Sequence, residues 1–424
     1  MRKFSTLLFS AVVLVGILGT TAWADEVTAW NTIMFQAAFV AGTSPLNMSR
    51  NAAIVQAAVF DAVNGIERKF TPVHVEPAAP PGASRRAATV QAAYATLIRL
   101  YPAQKTTFLD PKLASSLAAI ASEAAAEHSV SIDRGVEWGQ TVADGIWTWR
   151  AGDGFNTVLP PYVNGVNPGE WRPTPPAFAL AVGRQFATMT TWVMSSFSAY
   201  RPPAPPSLGS GQYAVDFAEV KSKGQNTSIT RTADETLYSR FWNSTSASYL
   251  WDQIALSIGA ERHLTFSEEA RMLALMNIAM ADAAIGCWDA KYRYKFWRPV
   301  TAIQNDGIPA DATWLPLLVT PAFPEYPSGH SCVSGAAGRV LSNYFGEYTS
   351  FSVTSDSPAM VGVTRSFSSF SEATQEVRNA RVFAGIHFRT ACDVGQDLGI
   401  NVADDVLAHA LLPVHGAKTG ELRH

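Results

Sequence analysis

Helical periodicity constrains the fold most, because it recurs along most of the chain while alternating runs of β-branched residues are nearly absent. Five such stretches occur early, at residues 30–39, 47–63, 86–101, 112–128 and 132–150. The alanine-rich stretches are open to interpretation as low-complexity sequence. Their interleaved Leu, Ile and Tyr residues instead favour packed helices. The sequence therefore predicts an all-α protein.

Composition and proline usage suggest how the helices are organised. The 424 residues are 47% hydrophobic and only 16% charged, which excludes a disordered chain and predicts a large core. Between residues 152 and 230, proline pairs interrupt short apolar stretches, as in a connector that wraps other elements. We predict an N-terminal helical region at 25–230 that includes this connector, and a C-terminal helical catalytic core at 231–424.

Two apolar segments bear on location. Residues 1–24 carry basic residues, an apolar stretch and small residues in the order of a signal peptide, so we expect a secreted or periplasmic chain beginning near Asp25. An uncleaved anchor is the alternative, although the apolar run is shorter than the ~20 residues that span a bilayer. The later stretch 272–288 contains Asp282 and predicts a buried helix, so no membrane span is expected after cleavage.

Charge and cysteine content exclude further classes. The net charge of −3 leaves no basic excess to neutralise a nucleic-acid backbone, so no nucleic-acid partner is expected. Three cysteines, Cys287, Cys332 and Cys392, are too few for a disulfide scaffold. One disulfide between two of them is an alternative, but we expect small apolar core residues without a catalytic role.

The first segment with candidate chemistry is a long helix predicted at 266–297, which starts with a capping box and which Pro299 ends. Lys291 and Arg298 are seven residues apart, so on one helix they leave nearly the same face about 10 Å apart. Two cations placed in this way can flank one anion. The alternative is a pair of solvated charges that complement the helix dipole.

The second segment is Pro-Ser-Gly-His at 327–330, directly before a helical pattern. Ser328 can cap this helix, and Gly329 allows the backbone to approach a ligand, so free amides at the helix start are available to an anion. His330 follows and can exchange a proton near neutral pH. The alternative is a capped helix start with an incidental histidine.

The third segment contains Arg381 and His387, which lie about 120° apart on a continuous helix and converge only if that helix breaks. Gly385 provides the break. Thr390 with Asp393 predicts a capping box for the next helix, which places His387 in a tight connection. A surface histidine in a turn is the alternative.

Together, Lys-x6-Arg-Pro, Pro-Ser-Gly-His and Arg-x5-His resemble, in this order, the signature shared by type 2 phosphatidic-acid phosphatases and vanadium-dependent haloperoxidases. The resemblance spans Lys291 to His387, about a quarter of the chain. It implies a soluble helical bundle of the vanadium haloperoxidase and acid phosphatase type. The chain looks like the exported haloperoxidase branch, because lipid phosphatases of the superfamily have several membrane spans that this sequence does not predict.

The resemblance also implies residue roles. Five residues would bind the oxygens of vanadate or phosphate: Lys291, Arg298, Ser328, Gly329 and Arg381. His387 would bond the central atom, as the ligand of vanadium in a haloperoxidase or as the nucleophile of a phosphatase. His330 would be the acid or base. Its carboxylate partner is left open among Asp234, Glu235 and Asp252.

Two aromatic positions and two departures distinguish the branches. Trp288 and Phe323 match positions that line the halide site in fungal chloroperoxidase-like members, with a plain core role as the alternative. The phosphatase signature has a serine and an aspartate where this chain has Ala380 and Ala391. Asp393 lies two residues late for the carboxylate that would support the second histidine.

The function implied by this resemblance is a vanadate-dependent haloperoxidase-like enzyme that oxidises halide with hydrogen peroxide. The alternative is an exported acid phosphatase that forms a phosphohistidine and needs no vanadate. A non-catalytic anion-binding protein would require the three segments to match by accident. The expected partners are hydrogen peroxide and halide, or a phosphate ester, and a homodimer is left open.

Overall fold

The computed structural model describes residues 25–123, 128–305 and 310–414, so the predicted signal peptide lies outside the described residues. Within these ranges the chain is helical apart from one short hairpin, which confirms the all-α prediction. The helices are α1 (Glu26–Val40), α2 (Pro45–Glu67), α3 (Arg85–Leu100), α4 (Asp110–Ser122), α5 (Ser129–Ala151), α6 (Gly211–Lys223), α7 (Ala233–Phe241), α8 (Ala247–Glu261), α9 (Phe266–Tyr294), α10 (Pro299–Asn305), α11 (Gly329–Phe345), α12 (Phe370–Phe383) and α13 (Arg389–His409). The strands β1 (Phe351–Thr354) and β2 (Thr364–Phe367) pair antiparallel.

Two predicted helix ends are wrong. The stretch predicted at 112–128 is helical only to Ser122, and His128 is instead the residue before α5. Helix α9 ends at Tyr294 rather than at residue 297, because Lys295 adopts a left-handed conformation and its N–H bonds the Lys291 carbonyl. Pro299 then begins the short helix α10, as a proline without an N–H can.

Helix α9 is the central element of the fold. It is buried almost without interruption from Ala270 to Lys291 and packs against α2, α11 and α13. By length and composition this helix could cross a membrane, but 94% of its most apolar window is buried inside the protein. The expectation of a buried helix at 272–288 therefore agrees with the structure.

Helices α11 and α13 approach closely below the start of α11. A side-chain carbon on Gly395 of α13 would lie 2.9 Å from the Ser328 carbonyl oxygen, so this contact requires glycine. The three cysteines, Cys287, Cys332 and Cys392, are free and buried around the same region. They are core residues as expected, and no disulfide joins them.

The proline-rich segment after α5 docks on α9. Asp282 accepts hydrogen bonds from the amides of Trp192, Val193 and Met194, at 2.7, 2.8 and 3.0 Å. Near the C-terminal end of α9, the Trp171 amide donates to the Lys295 carbonyl at 2.7 Å, which fixes the residue that follows the helix. One hydrophobic core contains residues from both sides of the predicted boundary at 230/231, and the division into two regions stays a prediction.

Candidate active site

The three segments singled out in the sequence meet at one cavity of about 450 Å³. Six predicted residues line it: Trp288, Phe323, Gly329, His330, Arg381 and His387. The first turn of α2, the segment 182–185 and the loop that leads into α8 also line the cavity, including Asn47 and Asn243. Lys291, Arg298 and Ser328 are fully buried close behind this lining.

Arg298 reaches the site by a different route from the predicted one. It follows α9 in an extended segment, so the argument from a shared helix face is wrong. Its Nε donates to the Phe323 carbonyl at 3.0 Å and its Nη1 to the Ile386 carbonyl at 2.8 Å. The buried Nη2 has no hydrogen-bond partner among the described residues. Backbone carbonyls thus fix Nε and Nη1 of this guanidinium, and Nη2 remains a free donor within the described structure.

Arg381 lies in the last turn of α12 and is equally buried. Its Nη1 donates to Asn243 Oδ1 at 3.1 Å, while its Nε has no partner within the described part of the chain. Burial lowers the pKa of Arg381, and that of Arg298, to about 10. Both groups therefore stay cationic at neutral pH.

Lys291 holds the loop before α11. Its ammonium group donates to the carbonyls of Pro324 at 3.0 Å and Glu325 at 2.9 Å, and also to that of Pro327. Burial lowers the pKa of Lys291 to about 8. The ammonium is thus engaged by backbone, and its predicted direct contact with an oxyanion stays a prediction.

The start of α11 has the capped form predicted for it. Ser328 accepts a hydrogen bond from the Ser331 amide at 3.5 Å, and its own amide donates to the Ala391 carbonyl at 2.8 Å. Gly329 faces the Trp288 ring, where a side-chain carbon would lie 3.1 Å from a ring atom. The positive end of the helix dipole consequently points at the cavity.

His330 is half-buried, with its Nε2 atom shielded from solvent, and its ring hydrogen-bonds to the Trp242 backbone. Burial, followed by the charge of Arg381, lowers the pKa of His330 well below its usual value, so the ring is neutral. Its Nε2 has no hydrogen-bond partner in the residues that the structure describes. The imidazole therefore has a free nitrogen beside the cavity.

The proposed carboxylate partners of His330 are elsewhere. Asp234 pairs with Arg365 at 2.6 Å, and Glu235 pairs with Lys223 at 2.8 Å. Asp252 is buried against Asn277, at 3.0 Å. Each of these acids is committed to another partner, because tertiary contacts outside the three segments decide where they lie.

His387 lies in the connection between α12 and α13, where Gly385 has a φ of 80° as the predicted break requires. Its Nδ1 is 2.8 Å from Glu325 Oε1, and its Nε2 is 3.2 Å from Arg298 Nη1. Burial, with the charges of Arg298 and Lys291 next, lowers the pKa of His387 well below its usual value.

The capping box predicted for α13 is wrong. Helix α13 begins after Phe388, and the Thr390 amide is bonded by Asp216 at 3.0 Å, a residue 174 positions away. Asp393 instead pairs with Arg378 at 3.2 Å. The Thr390 amide is therefore bonded by the distant Asp216 and not by the predicted Asp393.

Two site residues were missed in the sequence. Glu325 is fully buried and holds His387, and its only signal was an acid within an otherwise apolar and proline-rich run. Burial raises the pKa of Glu325 to about 8. Asn243 lies 138 residues from the arginine that it contacts, and no local pattern indicates it.

The two aromatic candidates lie side by side in the wall. The ring centroids of Trp288 and Phe323 are 5.0 Å apart, and the Arg298 guanidinium lies 4.9 Å from the Phe323 centroid. The Trp288 Nε1 is buried without a partner among the residues described. These positions place both rings next to the cations.

The charges around the cavity suit a tetrahedral oxyanion. Three cations, Lys291, Arg298 and Arg381, are buried together, and the carboxyl group of Glu325, whose charge acts on Arg298 and Lys291, is hydrogen-bonded to His387 rather than to a cation. A buried charge is costly unless it is paired, so the excess positive charge favours an anionic guest. The free guanidinium donors are the groups that bind such oxygens well. No group of three His, Cys, Asp or Glu residues in the described ranges could hold a metal cation.

Parts of the chain are similar to known vanadium haloperoxidases. Residues 271–416 match the VCPO second helical-bundle domain. A stretch of 110 residues is 34% identical to the vanadium chloroperoxidase of Curvularia inaequalis, covering 22% of this chain and 18% of that protein. The chain thus matches about a fifth of the length of this curated relative.

Solved structures extend the likeness to most of the chain. A bacterial vanadium-dependent iodoperoxidase superposes with a TM-score of 0.80 and 28% identity, covering 93% of this chain and 98% of that one. The holo form of a bacterial vanadium-dependent chloroperoxidase has a TM-score of 0.68 and 18% identity, covering 86% and 92%. The second likeness concerns the fold alone.

Proposed function

We propose that the chain is a vanadate-dependent haloperoxidase that oxidises halide with hydrogen peroxide, because residues 271–416 match a VCPO domain model and most of the chain superposes on a bacterial vanadium-dependent iodoperoxidase. One observation carries the proposal. Arg298 and Arg381 are buried, cationic and in part unpartnered within the described structure, beside two neutral histidines. Such an arrangement is costly unless an oxyanion completes it.

Vanadate would be held by charge and by one nitrogen ligand. The guanidinium groups of Arg298 and Arg381 and the first amides of α11 would bind its oxygens, with Lys291 adding charge from behind the loop. His387 would hold the vanadium through Nε2, which is the ring nitrogen that faces Arg298. When bound, vanadate supplies a Lewis acid that activates hydrogen peroxide without itself changing oxidation state.

His330 is the proton acceptor of the proposed reaction. Its ring is neutral because of burial and the neighbouring Arg381, and its Nε2 is free to take a proton from hydrogen peroxide. Its bond with the Trp242 backbone fixes the ring orientation. Trp288 and Phe323, next to the cations, would form the halide site.

The test is vanadate retention and halogenation by the purified chain. We expect stoichiometric vanadium by elemental analysis, and bromination of a dye that needs vanadate, peroxide and bromide together. His387→Ala should abolish both and leave the helical circular dichroism intact. Hydrolysis of nitrophenyl phosphate without halogenation would replace this proposal with the phosphatase.

We also propose that the chain is exported, on the basis of residues 1–24. Mass spectrometry of the mature protein should then give an N-terminus near Asp25. A mature chain that keeps residue 1 would contradict export by this route.

A further inference from the structure

Glu325 lies in the segment between Phe323 and His330. The residue is fully buried, and its Oε1 accepts a hydrogen bond from the Phe388 amide at 2.9 Å. The same oxygen is 2.8 Å from His387 Nδ1. This carboxylate oxygen therefore contacts the histidine ring and the residue that follows it in the chain.

The second ring nitrogen of His387 has a neighbour of opposite character. Arg298 Nη1 lies 3.2 Å from Nε2, and a guanidinium can only donate hydrogen bonds. Nε2 must then be the acceptor, which leaves the proton on Nδ1. Glu325 Oε1 already accepts the Phe388 amide, so it is an acceptor on the other side of the ring and takes Nδ1–H as a second donor, whether the acid is ionised or carries its proton on Oε2. Both neighbours select one tautomer.

From this geometry we propose that Glu325 is a positioning residue that fixes the Nδ1–H tautomer of His387 and so keeps the Nε2 lone pair free of a proton, on the side of the ring that faces Arg298. The inference rests on the proposed function, since this lone pair is what would hold the vanadium. Without the carboxyl group, Arg298 alone would select this tautomer, and Nδ1–H would be buried without its acceptor, so the ring would be held less firmly in the orientation that ligation needs.

The backbone around Glu325 strengthens its hold. Lys291 donates to the Glu325 carbonyl at 2.9 Å, and the Glu325 amide donates to the Phe296 carbonyl at 2.9 Å. The carboxylate is therefore mounted on a segment that the end of α9 fixes at two points. A side chain held in this way can orient a partner without rearranging.

The first experiment uses the unaltered protein without vanadate. Nitrogen-15 NMR of labelled histidine, with the His387 signals assigned by their loss in His387→Gln, reports which ring nitrogen carries the proton. We expect a protonated Nδ1 and an unprotonated Nε2. A proton on Nε2 would overturn the proposal, whether or not the protein binds vanadate.

The second experiment varies the acceptor. Glu325→Leu removes it and should weaken vanadate binding about 10- to 100-fold, the usual cost of losing a group that orients a metal ligand. Glu325→Gln keeps an oxygen for Nδ1–H and should lose less than about fivefold by the same reasoning. Binding is measured by equilibrium dialysis with vanadium analysis, and folding by circular dichroism.

Asp282→Asn is the matched control, because Asp282 is another fully buried carboxylate that accepts backbone amides on α9 away from the cavity. It should leave vanadate affinity unchanged. Wild-type affinity in folded Glu325→Leu would overturn the inference while leaving the proposed function in place. If the unaltered protein binds no vanadate, the proposed function fails, and the NMR result still decides the tautomer. If Glu325→Leu does not fold, the NMR result alone decides.

Discussion

Two pairs of buried arginines differ in how their charge is compensated. Arg50 and Arg150 share Asp153, with Oδ2 2.8 Å from Arg50 Nε and 3.2 Å from Arg150 Nη2. Arg298 and Arg381 are buried to the same extent, but neither forms an ion pair with a carboxylate in the described ranges. The first pair shares one carboxylate of the chain, whereas the second pair has no carboxylate partner within the described residues and is available to an anionic ligand.

The difference indicates which buried charge is structural and which is functional. Removing one partner of a buried ion pair exposes the other to its full desolvation cost, whereas removing an uncompensated charge relieves that cost. Substitutions in the two pairs should therefore change stability in opposite directions. Only the second pair should affect oxyanion binding.

The largest expected effect is on stability at the first pair. Asp153→Ala leaves Arg50 and Arg150 without their carboxylate and should lower the free energy of unfolding by about 3–5 kcal/mol. Urea unfolding followed by circular dichroism measures the change. Asp153→Asn, which keeps an acceptor for the Phe155 amide now bonded at 3.0 Å, should cost less. A loss below about 1 kcal/mol in Asp153→Ala would contradict the structural assignment.

The next effect concerns the second pair. Arg381→Met should reduce halogenation about 10²- to 10³-fold, as the loss of one positioned donor to a reacting oxyanion does. In the vanadate-free protein the same change should leave the free energy of unfolding unchanged or raise it by about 1 kcal/mol, because it removes an unpaired buried charge. Steady-state kinetics and urea unfolding measure the two quantities. If Arg381→Met is strongly destabilised but fully active, the charge of Arg381 is structural and not functional.

The features that could be predicted from the sequence are those that depend on interactions between residues close together in the chain. The cap by Ser328, the adjacent His330 and the break at Gly385 depend on neighbours within a few residues, and the structure has all three. Arg298 does reach the site, but the predicted reason was wrong, since the turn at Lys295 ends α9 early.

The contacts that could not be predicted join distant parts of the chain. Glu325 meets His387 across 62 positions and Asn243 meets Arg381 across 138. No local periodicity encodes such pairs, because they depend on how the helices pack. For the same reason, the acids proposed near His330 were chosen by their place in the chain and lie with other partners.

A smaller effect is expected from the guest itself. Vanadate or phosphate at 100 times its dissociation constant should raise the free energy of unfolding by about 2.7 kcal/mol if it binds only the folded chain. Thermal unfolding with and without the anion measures this stabilisation. The Arg381→Met variant should lose most of this anion-induced stabilisation. No stabilisation is expected from anion binding at Arg50 and Arg150. Equal stabilisation of Arg381→Met would show that the anion binds elsewhere.

The smallest effect is a pH dependence of phosphate affinity that arises from Lys291, the neighbour of Arg298 and Arg381. Burial lowers its pKa to about 8, so the ammonium charge is present below that pH and is lost as the pH rises through it. Phosphate affinity should therefore fall as the pH rises above 8, and a loss of roughly fivefold would correspond to about 1 kcal/mol. Lys291→Arg keeps its charge throughout this range, so calorimetric titration of that variant should show a smaller step near pH 8, the part that Glu325 contributes. If the unaltered protein and Lys291→Arg show a step of the same size, another group titrates near pH 8 and Lys291 stays charged.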